Sequence, residues 1–183
     1  HVQRYAIKQG ILKTDSDFLG VAFKGIANDY DTTFIHDNMV EGVIPAFSDT
    51  VSTNKILVSK IMADRLRLNA GDKVFAYFID NGNVRVRRFT VSGIYRTDLT
   101  QFDDILCFTD LYTAVRLNGW EPDQAGGAEL TVKDFNAIDV VEDETVLSTS
   151  TVKPIRLRRY RTPTPRFSPG SDCLTSMYGL FLY

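Results

Sequence analysis

The chain has 183 residues, of which 44% are apolar and 24% are charged, with a formal net charge of -2 at pH 7. A chain of this length buries roughly two thirds of its unfolded surface, so its core needs no disulfide staples. No apolar run approaches the roughly eighteen residues of a membrane helix. Cys107 and Cys173 are too few for a disulfide framework or a zinc site. These features exclude membrane-embedded and disulfide-scaffold classes for these residues.

Charge is distributed unevenly along the chain. Residues 146–183 hold six Lys and Arg against one Asp, whereas residues 1–145 hold the remaining fifteen against twenty-two Asp and Glu. An acidic body without interleaved basic and aromatic residues argues against nucleic-acid binding. The chain begins at His1 with no initiator methionine and no signal-peptide pattern, so we expect it to be cut from a longer one.

The first half predicts two strands and one helix. Val21–Ile26 reads as a strand, and residues 28–55 as a long connection with one helical turn near residues 36–40. A short strand over residues 56–59 leads into a helix that Ser59 caps and that Asn69-Ala70-Gly71-Asp72 ends. The helix has its apolar positions mostly on one face: Ile61, Met62, Ala63, Leu66 and Leu68. Gly71 is predicted to adopt a conformation that a β-carbon would disfavour.

The second half is dominated by a predicted hairpin. Residues 73–79 and 84–95 are rich in β-branched and aromatic residues, and Asn81-Gly82 between them favours a tight turn. A strand over residues 102–108, a helix over 111–118 capped by Asp110, a strand over 129–132 and a helix over 135–146 follow. Mixed elements without strict alternation predict an α+β fold with an antiparallel sheet. The predicted core consists of Leu66, Leu68, Val74, Phe75 or Phe78, Phe89, Val91 and Ile94.

Few residues suit acid or base chemistry. Asp103 and Asp104, together with His36 and Asp37, are the available candidates, and a hydrolase using them is one hypothesis. Neighbours on a strand point to opposite faces, so a site shared by Asp103 and Asp104 is disfavoured. Cys107 lies in an apolar segment and is predicted to be a small buried hydrophobe. The sequence predicts no catalytic residue, cofactor or metal.

Arg85 and Arg87 share one face of the second hairpin strand, and Arg88 lies on the other. The interpretation we favour is a solvent face in which these arginines pair with Asp98, Asp103 and Asp104. The alternative is a partner-contact patch formed by Arg85, Arg87, Asp103 and Asp104.

The order of elements resembles the extracytoplasmic core domain of MacB/LolC/FtsX-like ABC permeases. In that family a strand precedes an S-x-x-x-A-x-x-L helix, a G-D-x-V turn, a hairpin and a V-x-G-I-Y-x-T strand. The matching residues are Ser59, Ala63, Leu66, Gly71, Asp72, Val74, Val91, Gly93, Ile94, Tyr95 and Thr97. The resemblance covers about residues 1–145.

The resemblance implies a mainly antiparallel β lobe, called Sabre, at residues 19–124. A smaller βα lobe, called Porter, would comprise residues 1–18 and 125–147. It implies a non-enzymatic domain on the periplasmic side of the inner membrane that transmits ATP-driven motion outward, in a lipoprotein-releasing or macrolide-exporting transporter. The implied partners are a cognate ABC ATPase reached through the membrane part, a second permease subunit, and a periplasmic adaptor or lipoprotein. FtsX-like relatives suggest an alternative role, the recruitment of a cell-envelope partner.

Two segments depart from the family pattern. Lipoprotein-releasing members dock a chaperone through a long loop between two Sabre strands, where this chain has only residues 80–83. Residues 148–183 form a basic tail unlike the family's return into the second membrane helix. Read one base out of frame, residues 163–183 can encode a segment similar to that return, which suggests a shift of reading frame. A variable basic linker and an arm for nucleic acid or anionic lipid are the alternatives.

Overall fold

A computed structural model describes residues 2–80 and 82–130, and all of these except Leu130 also at the level of their side chains. They form an α+β fold that is mostly sheet, as predicted. In chain order the elements are β1 (Val2–Lys13), β2 (Phe18–Ile26), α1 (Thr33–Asp37), β3 (Met39–Gly42), β4 (Lys55–Ser59), α2 (Lys60–Leu66), β5 (Lys73–Asp80), β6 (Asn83–Tyr95), α3 (Thr100–Asp103), β7 (Leu106–Asp110), α4 (Leu111–Asn118) and β8 (Gly127–Leu130). None of the four helices in these residues is long and apolar enough to cross a bilayer.

Contacts between Cα atoms divide the chain into two compact units. The larger is Tyr5–Ala125. In the smaller unit the described residues are Val2–Arg4 and 126–130, which contain β8.

In the larger unit the sheet closes on itself. The strands follow the order β2-β7-β4-β6-β5-β1, and β1 also pairs with β2 along nine residue pairs from Tyr5↔Ile26 to Lys13↔Phe18. A closed sheet leaves its member strands without a free edge along their paired lengths. The side chains that point inward therefore fill one continuous core.

The sheet is mixed, and this corrects the expectation of an antiparallel sheet. β2 pairs with β7 in parallel, and so does β4 with β6, whereas β1–β2, β1–β5, β3–β6, β4–β7 and β5–β6 are antiparallel pairs. The helix α2 connects β4 to the hairpin, and α3 lies between β6 and β7 in the chain. Parallel neighbours need such crossover connections, which a sequence of local hairpins does not supply.

The predicted core is confirmed. Leu66, Leu68, Val74, Phe89, Val91 and Ile94 are all buried, and of the two alternatives Phe78 is buried while Phe75 is 48% exposed. The ring of Phe23 packs against those of Phe78 and Phe89, with centroids 4.9 and 5.6 Å apart. Ile61, predicted on the buried face of α2, is instead 44% exposed.

The predicted cap of α2 and the predicted hairpin are also confirmed, whereas α2 ends earlier than the predicted stop at residues 69–72, at Leu66 with Arg67 in a left-handed conformation. The hydroxyl of Ser59 accepts a hydrogen bond of 3.1 Å from the N–H of Met62, as an N-cap should. Gly71 has a φ of +95°, which a side chain rarely adopts, although the space around it is open. Helix α4 occupies the predicted residues, and Gly119 ends it with a φ of +71°, but the side chain of Asp110, the predicted cap, makes no capping hydrogen bond to it.

Other predictions need correction or lie outside the described residues. Residues 102–108 are not one strand, because α3 ends at Asp103 and β7 begins only at Leu106. The connection over residues 28–55 holds β3 as well as a helical turn. Of the strand predicted over residues 129–132, residues 129 and 130 lie in β8, which begins earlier at Gly127, and the other two lie outside the described residues. The predicted helix at 135–146 and the tail from residue 148 fall beyond residue 130, the last that the structure describes.

Candidate functional site

Two of the candidate residues predicted from the sequence, Arg85 and Arg87, lie on the hairpin of β5 and β6. Its strands pair from Lys73↔Thr90 to Asp80↔Asn83, so only two residues connect them. The second, Gly82, has a φ of +82°, which suits the tight turn that Asn-Gly predicts. The connection is too short to serve as a docking loop between these two strands.

The outer half of the hairpin has two chemically different faces. Residues directly opposite each other on paired strands share a face, so Val84 and Val86 lie with Ile79 and Tyr77. Val84 is 59% and Val86 is 50% exposed. These side chains form an exposed apolar face.

The other face of the same segment is cationic. By register, Arg85 lies opposite Phe78 and Arg87 opposite Ala76, and both arginines are exposed while their opposites are buried. Arg88 is also exposed, on the apolar side opposite Phe75. Three arginines are therefore presented to solvent within four residues.

The interpretation of these arginines as charge-paired is wrong for the described part of the chain. The ion pairs in that part include Lys8–Asp80, Lys60–Asp64, Arg65–Asp17 and Arg96–Asp98, and none of the three hairpin arginines takes part in an ion pair or a hydrogen bond there. Asp98 pairs with Arg96 instead, at 2.6 Å. Among residues 2–80 and 82–130, these hairpin arginines therefore have no carboxylate partner.

Asp103 is buried and already engaged. Its carboxylate accepts hydrogen bonds from the N–H and hydroxyl of Thr97, the latter at 2.8 Å, and from the N–H of Asp98 at 3.1 Å. Its main-chain oxygen accepts from the hydroxyl of Ser59. Asp103 therefore fixes the loop that follows β6, while its neighbour Asp104 is exposed.

The four predicted partner-contact residues do not form one patch. Arg87 stands eight residues before Tyr95 on β6, which corresponds to roughly 26 Å along an extended strand. Asp103 contacts the loop just beyond Tyr95. A partner that reaches Arg85 and Arg87 would have to span that length to reach Asp104.

The acid-base candidates do not form one hydrogen-bonded group in the described residues. His36 is exposed and faces the carboxylate of its neighbour Asp37 at 3.4 Å. No hydrogen bond in the described residues joins His36 to Asp103, whose carboxylate binds the 97–98 loop. Among those residues no group of three or more His, Cys, Asp or Glu side chains could hold a metal ion.

A small cavity between α1, β6, α3 and β7 is apolar. Its volume is about 30 Å³, and its lining consists of Phe34, Ile35, Tyr95, Thr97, Phe102, Leu106 and Phe108. The hydroxyl of Tyr95 donates to the carbonyl of Leu106 at 2.5 Å, and that of Thr97 donates to Asp103. Burial raises the pKa of Tyr95 well above its ordinary value. The cavity suits packing and offers no acid or base at neutral pH.

Two buried polar clusters were not predicted from the sequence. The ammonium of Lys24 donates to the hydroxyl of Tyr30 at 2.8 Å and lies 5.1 and 5.0 Å from the ring centroids of Tyr5 and Tyr30. Asp110 accepts hydrogen bonds from Ser48 and Thr53. The charged residue inside the apolar run VAFKGI was the one available signal for the first cluster.

Two solved extracytoplasmic domains have a similar fold. The extracellular domain of the noncanonic ABC-type transporter YknZ from Gram-positive bacteria matches with a TM-score of 0.59 at 15% identity, over 81% of this chain and 73% of that one. The periplasmic region of MacB from Actinobacillus actinomycetemcomitans matches with a TM-score of 0.56 at 16% identity, over 80% and 64%. No protein-family model and no curated protein matches the sequence. The predicted resemblance is thus confirmed for the fold.

Proposed function

We propose that the chain is the extracytoplasmic domain of an ABC transporter permease, attached to the inner membrane and lying on its periplasmic side. The observation that carries the proposal is the likeness in fold to the YknZ and MacB domains over about four fifths of the chain. The motif residues from Ser59 to Thr97 support it independently, because they are a property of the sequence and not of the fold.

The domain would act by transmitting motion. ATP binding and hydrolysis in a separate ATPase would shift the membrane helices on which the domain is mounted, and the domain would carry that shift to a substrate or partner. The closed sheet supports this role, because it ties segments as distant as Leu12 and Cys107 into one packed core, which would let the domain move as a unit. The Sabre-like lobe at 19–124 and the Porter-like lobe at 1–18 and 125–147 remain part of the proposal.

The domain would need no catalysis of its own. Asp103 is committed to a loop, and His36 faces solvent beside Asp37. Cys107 is fully buried, and this burial raises the pKa of its thiol well above the ordinary range. These observations favour a transporter domain over the hydrolase hypothesis.

The two-residue connection of the hairpin bears on the type of transporter. It supports a member that does not dock a chaperone through a loop at this position, so lipoprotein release by that route is disfavoured. Recruitment of a cell-envelope partner is a second candidate function. The exposed Arg85, Arg87 and Arg88 favour it, because a cluster of exposed positive charge suits a surface that binds an acidic partner.

Co-purification tests the proposal without knowledge of the substrate. The full-length protein that contains this chain, tagged and extracted in mild detergent, is expected to bring down an ABC-type ATPase identifiable by mass spectrometry. Replacement of residues 19–124 by a Gly/Ser linker should leave ATPase recovery unchanged, because the ATPase is bound through the membrane part.

Loss of the ATPase in the linker variant, or its absence from the intact protein, would contradict the proposal. The purified chain provides a control for enzymatic activity. Titration with Mg·ATP should show neither binding nor hydrolysis, since the sequence holds no GxxxxGK[ST] phosphate-binding loop.

A further inference from the structure

The outer half of β6 has main-chain groups that point away from β5. Asp80 and Asn83 close a two-residue hairpin, so they exchange hydrogen bonds, and every second residue from Asn83 onward does the same. Val84, Val86 and Arg88 fall between these positions and direct their N–H and C=O groups to the opposite side. Thr90 also falls between the residues that bond to β5, and its N–H donates to the carbonyl of Asn54, on the side away from β5, at 2.9 Å.

No strand of the described residues covers that side of Val84–Arg88. The pairing of β6 with β4 begins at Thr90, and its pairing with β3 lies further on, between Gly93 and Tyr95. Residues Val84–Arg88, here called the hairpin edge, are all exposed. An unpaired edge of this kind is a template for another strand.

We propose that the hairpin edge binds an extended, acidic segment of a partner protein by strand addition. A strand added there continues the pleat of the sheet, so its side chains alternate between the two faces of the hairpin. Apolar side chains of the segment would pack beside Val84 and Val86. Its carboxylates would lie beside Arg85 and Arg87. The chemistry therefore selects a segment in which apolar and acidic residues alternate.

A second copy of this chain is a poor occupant of the hairpin edge. Antiparallel pairing of two edges centred on Val86 would place Arg85 directly opposite Arg87 of the other copy. Like charges that face each other across strands destabilise the pair. The arginines thus oppose self-association while they attract an acidic strand.

An anionic membrane surface is also a poor fit. Exposed apolar and basic residues can bind lipid headgroups, but here only Arg88 shares the face of Val84 and Val86, while Arg85 and Arg87 lie on the other. A flat bilayer cannot contact both faces at once, whereas a strand at the edge contacts both. The inference rests on the proposed function only for the compartment in which the partner is expected, because the hairpin edge is present whatever the chain is attached to.

Peptide binding to the purified full chain tests the inference. The probe is a synthetic peptide in which Glu and Val alternate, and the control peptide has the same composition with its Val residues grouped at one end. Calorimetric titration should show binding of the alternating peptide and about tenfold weaker binding of the grouped one. Equal affinity for the two peptides, or no binding of either, would overturn the proposal.

Two variants test the main-chain groups of the hairpin edge and the charge of its arginines separately. Val86→Pro removes an outward N–H without breaking a hydrogen bond to β5, so it should weaken peptide binding about tenfold while the hairpin persists. The double variant Arg85→Gln, Arg87→Gln should weaken binding to a similar extent. The control double variant Arg65→Gln, Arg67→Gln removes the same charge from the exposed residues around the end of α2 and should bind normally.

The remaining outcomes also decide the question. Binding to phosphatidylglycerol vesicles that requires Arg85 and Arg87 but tolerates Val86→Pro would favour a membrane and overturn strand addition. Dimer formation by the free chain that the peptide fails to disrupt would point to a second copy and overturn it as well. Circular dichroism and thermal melting establish that each variant is folded, and the comparison of the two peptides on the unaltered chain needs no variant. Failure here leaves the ATPase co-purification unaffected, so the two proposals fail separately.

Discussion

The main-chain N–H of Thr53 donates a hydrogen bond of 2.7 Å to the carboxylate of Asp110, a residue 57 positions away in the chain. The same carboxylate accepts from the hydroxyl of Thr53 at 2.9 Å and from the N–H of Ser48 at 3.3 Å. Asp110 ends β7 and precedes α4, so a single side chain ties the loop before β4 to the junction of a strand and a helix.

Asp110→Ala should destabilise the fold. The substitution leaves three donors of the 48–53 loop without their acceptor in a part of the structure where Asp110 is fully buried. We expect the free energy of unfolding to fall by about 1–3 kcal/mol, measured by urea denaturation. The exposed Asp104→Ala provides the control and should change stability by no more than about 0.5 kcal/mol.

The effect of Asp110→Ala should depend on pH. Burial raises the pKa of Asp110 above the ordinary value, although hydrogen bonds from Thr53, Ser48 and Thr113 act in the opposite direction. A carboxyl with a raised folded pKa contributes stability that is fully present below its unfolded pKa and is lost as pH rises through the folded pKa. The destabilisation should therefore be larger at about pH 4 than at about pH 7. A loss that grows toward neutral pH would show that the sign is wrong.

Gly25→Ala should cost more than Gly20→Ala, although both glycines lie on β2. A β-carbon at Gly25 would collide with the side chain of Ala114 and come within 2.9 Å of the carbonyl oxygen of Asp110, whereas one at Gly20 would meet nothing within 4 Å. We expect a loss of about 1–3 kcal/mol for Gly25→Ala, measured by chemical denaturation. Equal stability of the two variants would mean that α4 does not pack this closely on β2.

The thiol of Cys107 should be unreactive in the folded chain. It is fully buried, and the loss of solvation raises its pKa well above the ordinary value, so almost no thiolate is present at neutral pH. In a Cys173→Ser background, Ellman's reagent should label the chain only after denaturation. Rapid labelling of the native protein would show that this part of the core opens readily.

Much of the core was predictable because its signals are local. The cap at Ser59, the apolar face of α2 and the Asn-Gly turn each lie within a few residues, and together they place Val74, Phe89 and Val91 inside the fold. The α+β class and the resemblance to transporter domains followed from the order of these elements.

The features that were missed depend on residues distant in sequence. β1 closes the sheet because it pairs with both β2 and β5. Its partner residues extend as far along the chain as Tyr77, so the local sequence does not indicate this position. The parallel pairing of β4 with β6 depends on a crossover, not on a turn signal. Asp103 was predicted on a strand, whereas it ends α3. The hydrogen bonds that hold its carboxylate come from Thr97 and Asp98, in a loop whose sequence has no regular pattern from which they could be predicted.

The candidate site was only partly predictable. The sequence identified Arg85 and Arg87 as neighbours on one face, because strand alternation fixes that relation. It could not show that Asp104 lies far from them along the sheet, nor that β4 begins to pair with β6 only at Thr90. That no described strand covers the outer half of β6 follows from the pairing of the whole sheet.

The location of the domain is the central claim, and cysteine labelling tests it most directly. Val51 is 60% exposed, so a Val51→Cys variant of the full-length protein, with its other cysteines replaced by serine, offers one reactive thiol. If the domain is periplasmic, a membrane-impermeant maleimide should label this thiol in intact cells as fully as in lysed cells. Labelling that appears only after lysis would place the domain in the cytoplasm and contradict the proposed function.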